Sequence, residues 1–338
     1  MPKKLKSFLQ YAFFLAIGIF LVLWSVRQIP NDKWPEFTKA LAEANYWLAI
    51  PVFFVLSGSH VLRAWRWQIL IAPLGYKPTL RNAFFAVMIG YLANLAVPRL
   101  GEVLKCTILT RYEKIPTDKL VGTIVAERAF DVVCLGIVFV LALVFQYDIV
   151  ITYIQELLDK SSNVAQQSSS ATKLLVTIIV LLALTIGGIW LVKKHGITAL
   201  RQKLTSIVLG IWSGLTSARN LQHKWGFFIS TFGIWILYVG GTWLGFKATQ
   251  GSDVLGIEVA FTGLAFGSVG MIITPGGIGS YALFLAEAME RNGVAFELGY
   301  ANGTLQWIAQ FVVVLVVGFV SMLLLPMLNK QKKHESNS

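Results

Sequence analysis

Long apolar runs separated by short polar stretches dominate this chain. Tyr11–Val26, Tyr46–Leu62, Leu120–Gln146, Leu174–Val192, Trp225–Ala248 and Leu305–Leu325 each approach or exceed the ~20 residues a helix needs to cross a bilayer. They predict six full spans. Two further apolar stretches, 83–112 and 259–290, are cut by proline and glycine clusters and predict broken hairpins, giving eight hydrophobic segments in all. The fold class is therefore all-α, a polytopic integral membrane protein, with 1–338 as a single transmembrane domain. Asn31–Asn45 is polar and amphipathic, and 147–171 is an acidic, Ser/Gln-rich loop. Ile197, Leu200, Leu204, Ile207 and Ile211 recur at helical spacing with Arg201 and Lys203 between them, which predicts an interfacial helix over 197–224. Residues 329–338 read as a disordered tail.

The two broken stretches match each other. Ala83-Phe84-x5-Gly90-x7-Pro98 is repeated as Ala260-Phe261-x5-Gly267-x7-Pro275. The first continues as Arg99-Leu100-Gly101-Glu102, the second as Gly276-Gly277-Ile278-Gly279-Ser280. Corresponding interrupted segments in two halves of a membrane protein point to a transporter's binding site.

Charge then orients the chain. The net charge of +12 resides in Lys and Arg beside apolar runs, as the positive-inside rule requires, so nucleic acid is not an expected partner. The N-terminus, the 63–81 region, the 193–224 stretch and the C-terminus are basic and are expected on the cytoplasmic side of the cell membrane; the acidic 147–171 loop is expected outside. An odd number of crossings must separate 63–81 from 147–171. The 83–112 segment is then re-entrant, and 259–290 enters from the opposite face as an inverted repeat. Lys3, Lys4 and Lys6 before an apolar run resemble a signal peptide, but no A-x-A site follows, so this is read as the first span. Cys106 and Cys134 are read as free thiols.

Ionisable residues inside apolar runs are the candidate chemistry. After Pro98, a half-helix would aim free N–H groups at an anion, with Arg99 adding a planar donor fork and Arg99, Glu102 and Lys105 able to pair at three-residue spacing. Glu127, Arg128 and Asp131 fall well inside the 120–146 span; Glu127 and Asp131 share a face, and Arg128 can reach Asp131. Arg63, Arg66 and Trp67 read as interfacial anchors unless they line the mouth of a cavity, in which case both arginines join the head-group set. Asn94, Thr274 and Ser280 could contact a polar head group, and Gly276, Gly277 and Gly279 allow close backbone approach. No histidine spacing suits a metal, and no nucleophile or nucleotide motif is present, so neither catalytic residues nor cofactors are expected.

Arg63-x2-Arg66-Trp67, Asn94-x3-Pro98-Arg99-x-Gly101-Glu102-x2-Lys105, Glu127-Arg128-x2-Asp131 and Pro275-Gly276-Gly277-Ile278-Gly279, in that order, resemble the lysylphosphatidylglycerol synthase transmembrane region, a flippase-like family also called UPF0104-type. The resemblance covers nearly the whole chain. In bifunctional relatives it implies movement of an aminoacylated lipid between leaflets, with a soluble aminoacyltransferase domain following. Here the chain stops soon after Lys333, so the expectation is the membrane part without the synthase. Two positions depart from the family pattern: Ala282 stands near an expected Glu, and Gly303, Thr304, Leu305 and Gln306 stand where an Arg enters the last span.

The expected function is a flippase or transporter, not an enzyme. It would carry a phosphate-bearing lipid (phospholipid, aminoacyl-phospholipid or polyprenyl phosphate) through a charged cavity between the hairpins. Arg99, Gly101, Lys105, Asn94, Arg63 and Arg66 would hold the head group, and Glu102, Glu127, Arg128 and Asp131 would form the charge network. The expected partners are membrane lipids and a separate lipid-modifying enzyme. The alternatives are an enzyme or membrane subunit of lipid-linked glycosyl or aminoacyl transfer, and a non-transporting scaffold.

Overall fold

The computed structural model describes residues 19–27, 29–97, 99–147 and 221–335. Pro98, the Leu174–Val192 span, the 148–171 part of the acidic loop and the 197–220 part of the interfacial helix lie outside them, as does the first half of the first span, the second half of which (19–26) is helical. The described residues form helices and no strands. α1 (Trp34–Ala42) precedes the long α2 (Ala49–Ile71), then α3 (Leu80–Ala96), α4 (Leu100–Glu113) and the long α5 (Thr117–Phe145). α6 (Lys224–Phe246), α7 (Ile257–Ile273), α8 (Ser280–Glu290) and α9 (Phe296–Glu335) repeat that order. α2, α5, α6 and residues Phe296–Asn329 of α9 are long and apolar enough to cross a membrane, whereas α3 and α7 are short apolar helices.

The sequence repeat is thus a repeat of structure. α2 and α6 are both 23 residues long, and α3 and α7 are both 17. α3 and α7 start three residues before Ala83 and Ala260. The repeated glycines explain themselves at the hairpin crossings. A Cβ on Gly101 would collide with the carbonyl oxygen of Gly90. In the second hairpin a Cβ on Gly267 would lie 2.8 Å from the Tyr281 ring. The tight turn between α7 and α8 is made by Gly276, Gly277 and Gly279, all at positive φ.

α9 is the ruler that shows how the hairpins lie. α8 runs antiparallel along its first half: Gly299 faces Ala286, Gly303 faces Ala282, and Trp307 Nε1 donates to the Gly276 carbonyl at 2.7 Å. α3 runs antiparallel along its second half: Gly318 faces Leu92, and Asn82 and Asn329 exchange amide hydrogen bonds of 3.1 and 3.0 Å. Both tips therefore fall between Trp307 and Gly318, near the middle of a stretch roughly 50 Å long. They touch there, with a Cβ on Gly276 3.9 Å from Leu95 Cδ2. The hairpins enter from opposite ends, the inverted arrangement the charge count requires.

Each end has its own polar seal. At one end Glu113 Oε1 accepts from Thr79 N, Thr79 Oγ1 and Asn82 Nδ2, tying the base of α3 to the base of α4. At the other, Gln146 bonds Asn292 and Thr262, and Asn302 donates to Thr249, Ser252 and the Gly245 carbonyl. Lys77, Arg81, Arg111, Lys114, Lys119 and Lys224 outnumber Glu113 and Asp118 at the first end, whereas Asp32, Glu36, Glu43, Asp253, Glu258, Glu290 and Glu297 outnumber Lys33, Lys39, Lys247 and Arg291 at the second. A net basic excess at one end and a net acidic excess at the other is the asymmetry of the positive-inside rule.

Two boundaries differ from expectation. α2 runs on through Arg63 and Arg66 to Ile71 rather than ending at Leu62, because carboxylates on α5 neutralise both arginines inside the bundle. α9 begins at Phe296, nine residues ahead of the expected start at Leu305, and its apolar stretch runs to Asn329.

Single cysteines at Lys77, Lys114 and Gln250, in a background lacking Cys106 and Cys134, give a direct check. A membrane-impermeant thiol reagent will label Lys77→Cys and Lys114→Cys from the same face and Gln250→Cys from the other; Lys77 and Lys114 on opposite faces would make α3 and α4 together one crossing instead of a hairpin. Gly101→Ala overfills the α3–α4 crossing and will cost about 1–3 kcal/mol, read as a lowered unfolding midpoint in detergent.

Candidate functional site

The strongest concentration of chemistry lies where α2, α4 and α5 meet beneath the first hairpin. Glu127 is 2% exposed and is the hub. Its Oε1 accepts from Arg63 Nη1 at 2.8 Å and lies 3.4 Å from Arg66 Nη2; its Oε2 meets Lys105 Nζ at 2.7 Å. Asp131, one turn further along α5, takes Arg63 Nη1 at 2.8 Å and Arg66 Nη2 at 2.7 Å. Arg63 also donates to Tyr238 Oη on α6 at 3.3 Å. Lys105 Nζ lies 4.3 Å from the centre of the Trp67 ring, whose Nε1 donates to Thr123 Oγ1 at 2.9 Å. The helical periods account for this. Arg63, Arg66 and Trp67 share a face of α2, and Thr123, Glu127 and Asp131 follow at four-residue spacing on α5.

Three buried cations face two carboxylates, Glu127 buried and Asp131 partly exposed, so the ionised cluster carries one excess positive charge. Three of its guanidinium donors, Arg63 Nε, Arg66 Nε and Arg66 Nη1, are buried without a hydrogen-bond partner among the described residues. Burying charge is costly unless it is paired, and each unpaired buried donor adds about 1–3 kcal/mol. Counting along α5 from Thr117, Glu127 lies roughly 15 Å from the basic end, about half the depth of a bilayer core.

A narrow crevice opens beside the cluster, lined by Val87, Gly90, Tyr91 and Asn94 of α3, Gly101, Glu102 and Lys105 of α4, and Glu127 and Arg128 of α5. It is smaller than the head-group cavity expected from sequence: α3 and α4 close on each other at Gly90 and Gly101, and Lys105 is drawn onto Glu127. At its outer edge Arg128 Nη2 pairs with Glu102 Oε1 at 3.1 Å, both side chains about half exposed.

Several expected pairings are corrected. Arg128 reaches Glu102 rather than Asp131, whose oxygens are taken by Arg63 and Arg66. Lys105 turns to Glu127 rather than Glu102. Arg99 is exposed in left-handed backbone (φ 69°) at the N-cap of α4 and makes no ion pair among the described residues. Spacing of three residues joins side chains only when both are helical, and Arg99 is not. The start of α4 is also partly capped: Asn94 Oδ1 accepts from Gly101 N at 2.8 Å. Thr274 and Ser280 are buried and bond each other, the Ile278 carbonyl and the Gly270 carbonyl, so they close the second hairpin instead of facing a head group. Sequence reasoning undervalued Arg63 and Arg66; their spacing, matched to the Glu127–Asp131 spacing, was the available signal. It missed Tyr238 and Tyr91, which nothing distinguishes from other aromatics in the sequence.

The second hairpin is built differently. Lys105 lies seven residues after Pro98, and Ala282 lies seven after Pro275. Lys105 is tied to the following long helix by Glu127, whereas Ala282 packs directly on Gly303 of α9. The two departures from the family pattern thus meet in one close contact between small residues.

The family model for the lysylphosphatidylglycerol synthase TM region matches residues 11–318. A relative, the UPF0104 membrane protein MJ1595 of Methanocaldococcus jannaschii, is 29% identical over 120 residues, 35% of this chain and 35% of its own length. The alignment therefore spans about a third of that relative. No solved structure matches.

Because Glu127 serves three cations, Glu127→Gln will destabilise the protein by about 3–5 kcal/mol, and Asp131→Asn, at the more open edge, will cost less. Combining Arg63→Met with Asp131→Asn will recover part of the loss of either alone. Unfolding midpoints of the four proteins in one detergent measure it; strict additivity would show that the pair does not interact.

Proposed function

We propose that this chain, which belongs to the lysylphosphatidylglycerol synthase transmembrane-region family, moves a phosphate-bearing lipid between leaflets without covalent chemistry. The carrying observation is the excess positive charge buried at mid-depth, with unpartnered guanidinium donors beside it. A phosphate supplies what that cluster lacks: negative charge and several acceptor oxygens, which guanidinium groups engage through parallel N–H bonds.

In this reading Lys105, Arg63 and Arg66 receive the phosphate, while Glu127 and Asp131 keep the three cations folded in when it is absent. Arg99, exposed at the tip of the first hairpin, meets the head group as it passes the point where the two hairpins touch. The inverted hairpins divide the bilayer into two half-length barriers, so a modest separation of their tips would join the two sides. The second hairpin, held by buried hydroxyls and small residues, acts as the fixed wall. The basic end faces the cytoplasm, and the membrane is the cell membrane. The substrate is a phospholipid, an aminoacyl-phospholipid or a polyprenyl phosphate; a separate enzyme makes or consumes it.

Purified protein in liposomes will equilibrate a fluorescent phospholipid or polyprenyl phosphate between leaflets. Arg99→Gly removes the guanidinium and suits the left-handed backbone, so it will slow transport roughly tenfold without lowering the unfolding midpoint. Failure of the wild type to move any of a broad anionic and zwitterionic panel, together with modification of a lipid when an activated donor is supplied, would replace transport with a transferase role.

A further inference from the structure

The seam between α4 and α5 has a feature that the buried cluster does not require. Val121, Val125, Arg128 and Val132 follow one another at helical spacing along α5, and all are exposed. Arg128 is the polar member of an otherwise apolar stripe. On the facing helix, Leu100 and Val103 are exposed on either side of Glu102. Arg128 lies eleven residues into α5, and Glu102 lies eleven residues before the end of α4. Both counts put the ion pair roughly 16 Å from the basic end, close to the middle of a bilayer core. A half-exposed ion pair on an apolar face at that depth is expensive, and the ion pairs of the buried network are made without it.

Behind the pair is the crevice, and at its back are Lys105 and Glu127. Nearer the basic end the same seam is crossed by the Thr110–Thr117 hydroxyl pair at 2.9 Å. The outer face of the seam is thus held by contacts that a polar visitor can replace one at a time.

Resting on the transport reading above, we propose that the α4–α5 seam is the lateral portal by which a lipid head group enters the crevice, that the Glu102–Arg128 pair is its latch, and that the head group it admits carries both a phosphate and an ammonium. Opening the latch strands a carboxylate and a guanidinium in apolar surroundings. A head group with both charges satisfies the two together, phosphate on Arg128 and ammonium on Glu102. A purely anionic one satisfies Arg128 and is repelled by Glu102. Once inside, the phosphate is a short step from Lys105.

The test uses proteoliposomes and a background with Cys106 and Cys134 changed to Ser. Glu102→Cys combined with Arg128→Cys is either bridged with a short bis-maleimide or capped with N-ethylmaleimide, which adds bulk without a bridge. Bridging will slow transport of phosphatidylethanolamine roughly tenfold relative to capping; equal rates overturn the portal. A second measurement needs no substitution. A phosphatidylethanolamine with a photoreactive group beside its head group, irradiated with the wild-type protein, will form adducts on α4 and α5 around Val103 and Val125; adducts confined to α3, α9 or the second hairpin overturn the portal. Phosphatidylglycerol will compete for these adducts several-fold less well than unlabelled phosphatidylethanolamine, and equal competition overturns the head-group assignment. Seam adducts on a wild type that moves no lipid would leave the portal standing and remove the transport reading.

Discussion

Glu127 is the residue on which the first half of this structure depends. One carboxylate, 2% exposed, draws Arg63 and Arg66 from α2 and Lys105 from α4 to the same point on α5. Without it, three cations from two helices would crowd together in the bundle interior. With it, α2 can carry two arginines through the middle of an apolar span, and the short α4 is anchored on one side by charge and on the other by the Gly90–Gly101 crossing. Low dielectric makes such a hub strong when complete and costly when any member is missing. Attraction among buried charges thus does here what side-chain volume does in an apolar core.

The second half reaches the same shape by another route. α7 repeats the length of α3, and the second hairpin repeats the glycine crossing and the proline break of the first, but it is fixed by Thr274, Ser280 and the Ala282–Gly303 contact. Small residues let backbones approach until dispersion and hydroxyl bonds suffice, with no charge to desolvate. An inverted repeat would, with identical halves, present the same site to both faces. Here the pseudo-symmetry holds for the helices and is broken for the chemistry. Among the described residues the buried ion-pair network gathers around the hairpin rooted at the basic end, whereas the other hairpin is closed by hydroxyls and small residues, so the two leaflets meet unequal surfaces.

Much of this was legible in the residues because two constraints act on sequence directly. The bilayer fixes how long an apolar run must be, and the positive-inside rule fixes which ends face together. Together they required that 83–112 turn back and that 259–290 enter from the other side, and the contacts along α9 follow that plan. The repeated glycines were legible for a similar reason, since close backbone crossings leave no room for a Cβ. Partner choice among charges was not. Glu102, Lys105, Arg128 and Asp131 each have a neighbour of opposite sign three residues away, yet each pairs across helices instead. Local spacing describes one helix surface, whereas burial selects the partner that completes a network. The same limit hid Arg63 and Arg66: seen alone they end a span, and only the face presented by α5 turns them inward.

The closed crevice follows from the same electrostatics. With no anion present, the cheapest arrangement brings Lys105 onto Glu127 and Arg128 onto Glu102, which draws α4 towards α5 and narrows the space between them. Opening separates opposite charges and is therefore unfavourable by itself. A ligand shifts that balance only by binding the open form better than the closed one. Under the proposed transport reading a bound phosphate would do so, because it would replace the carboxylates as partner for the cations and meet donors that the closed form leaves unused among the described residues. The unpartnered guanidinium N–H groups thus disfavour the closed form, and the gain on opening with phosphate is larger by what they cost. A neutral polar head group offers no such exchange. Under that proposal selectivity and gating would be one equilibrium, and the excess positive charge would determine which ligands could move it.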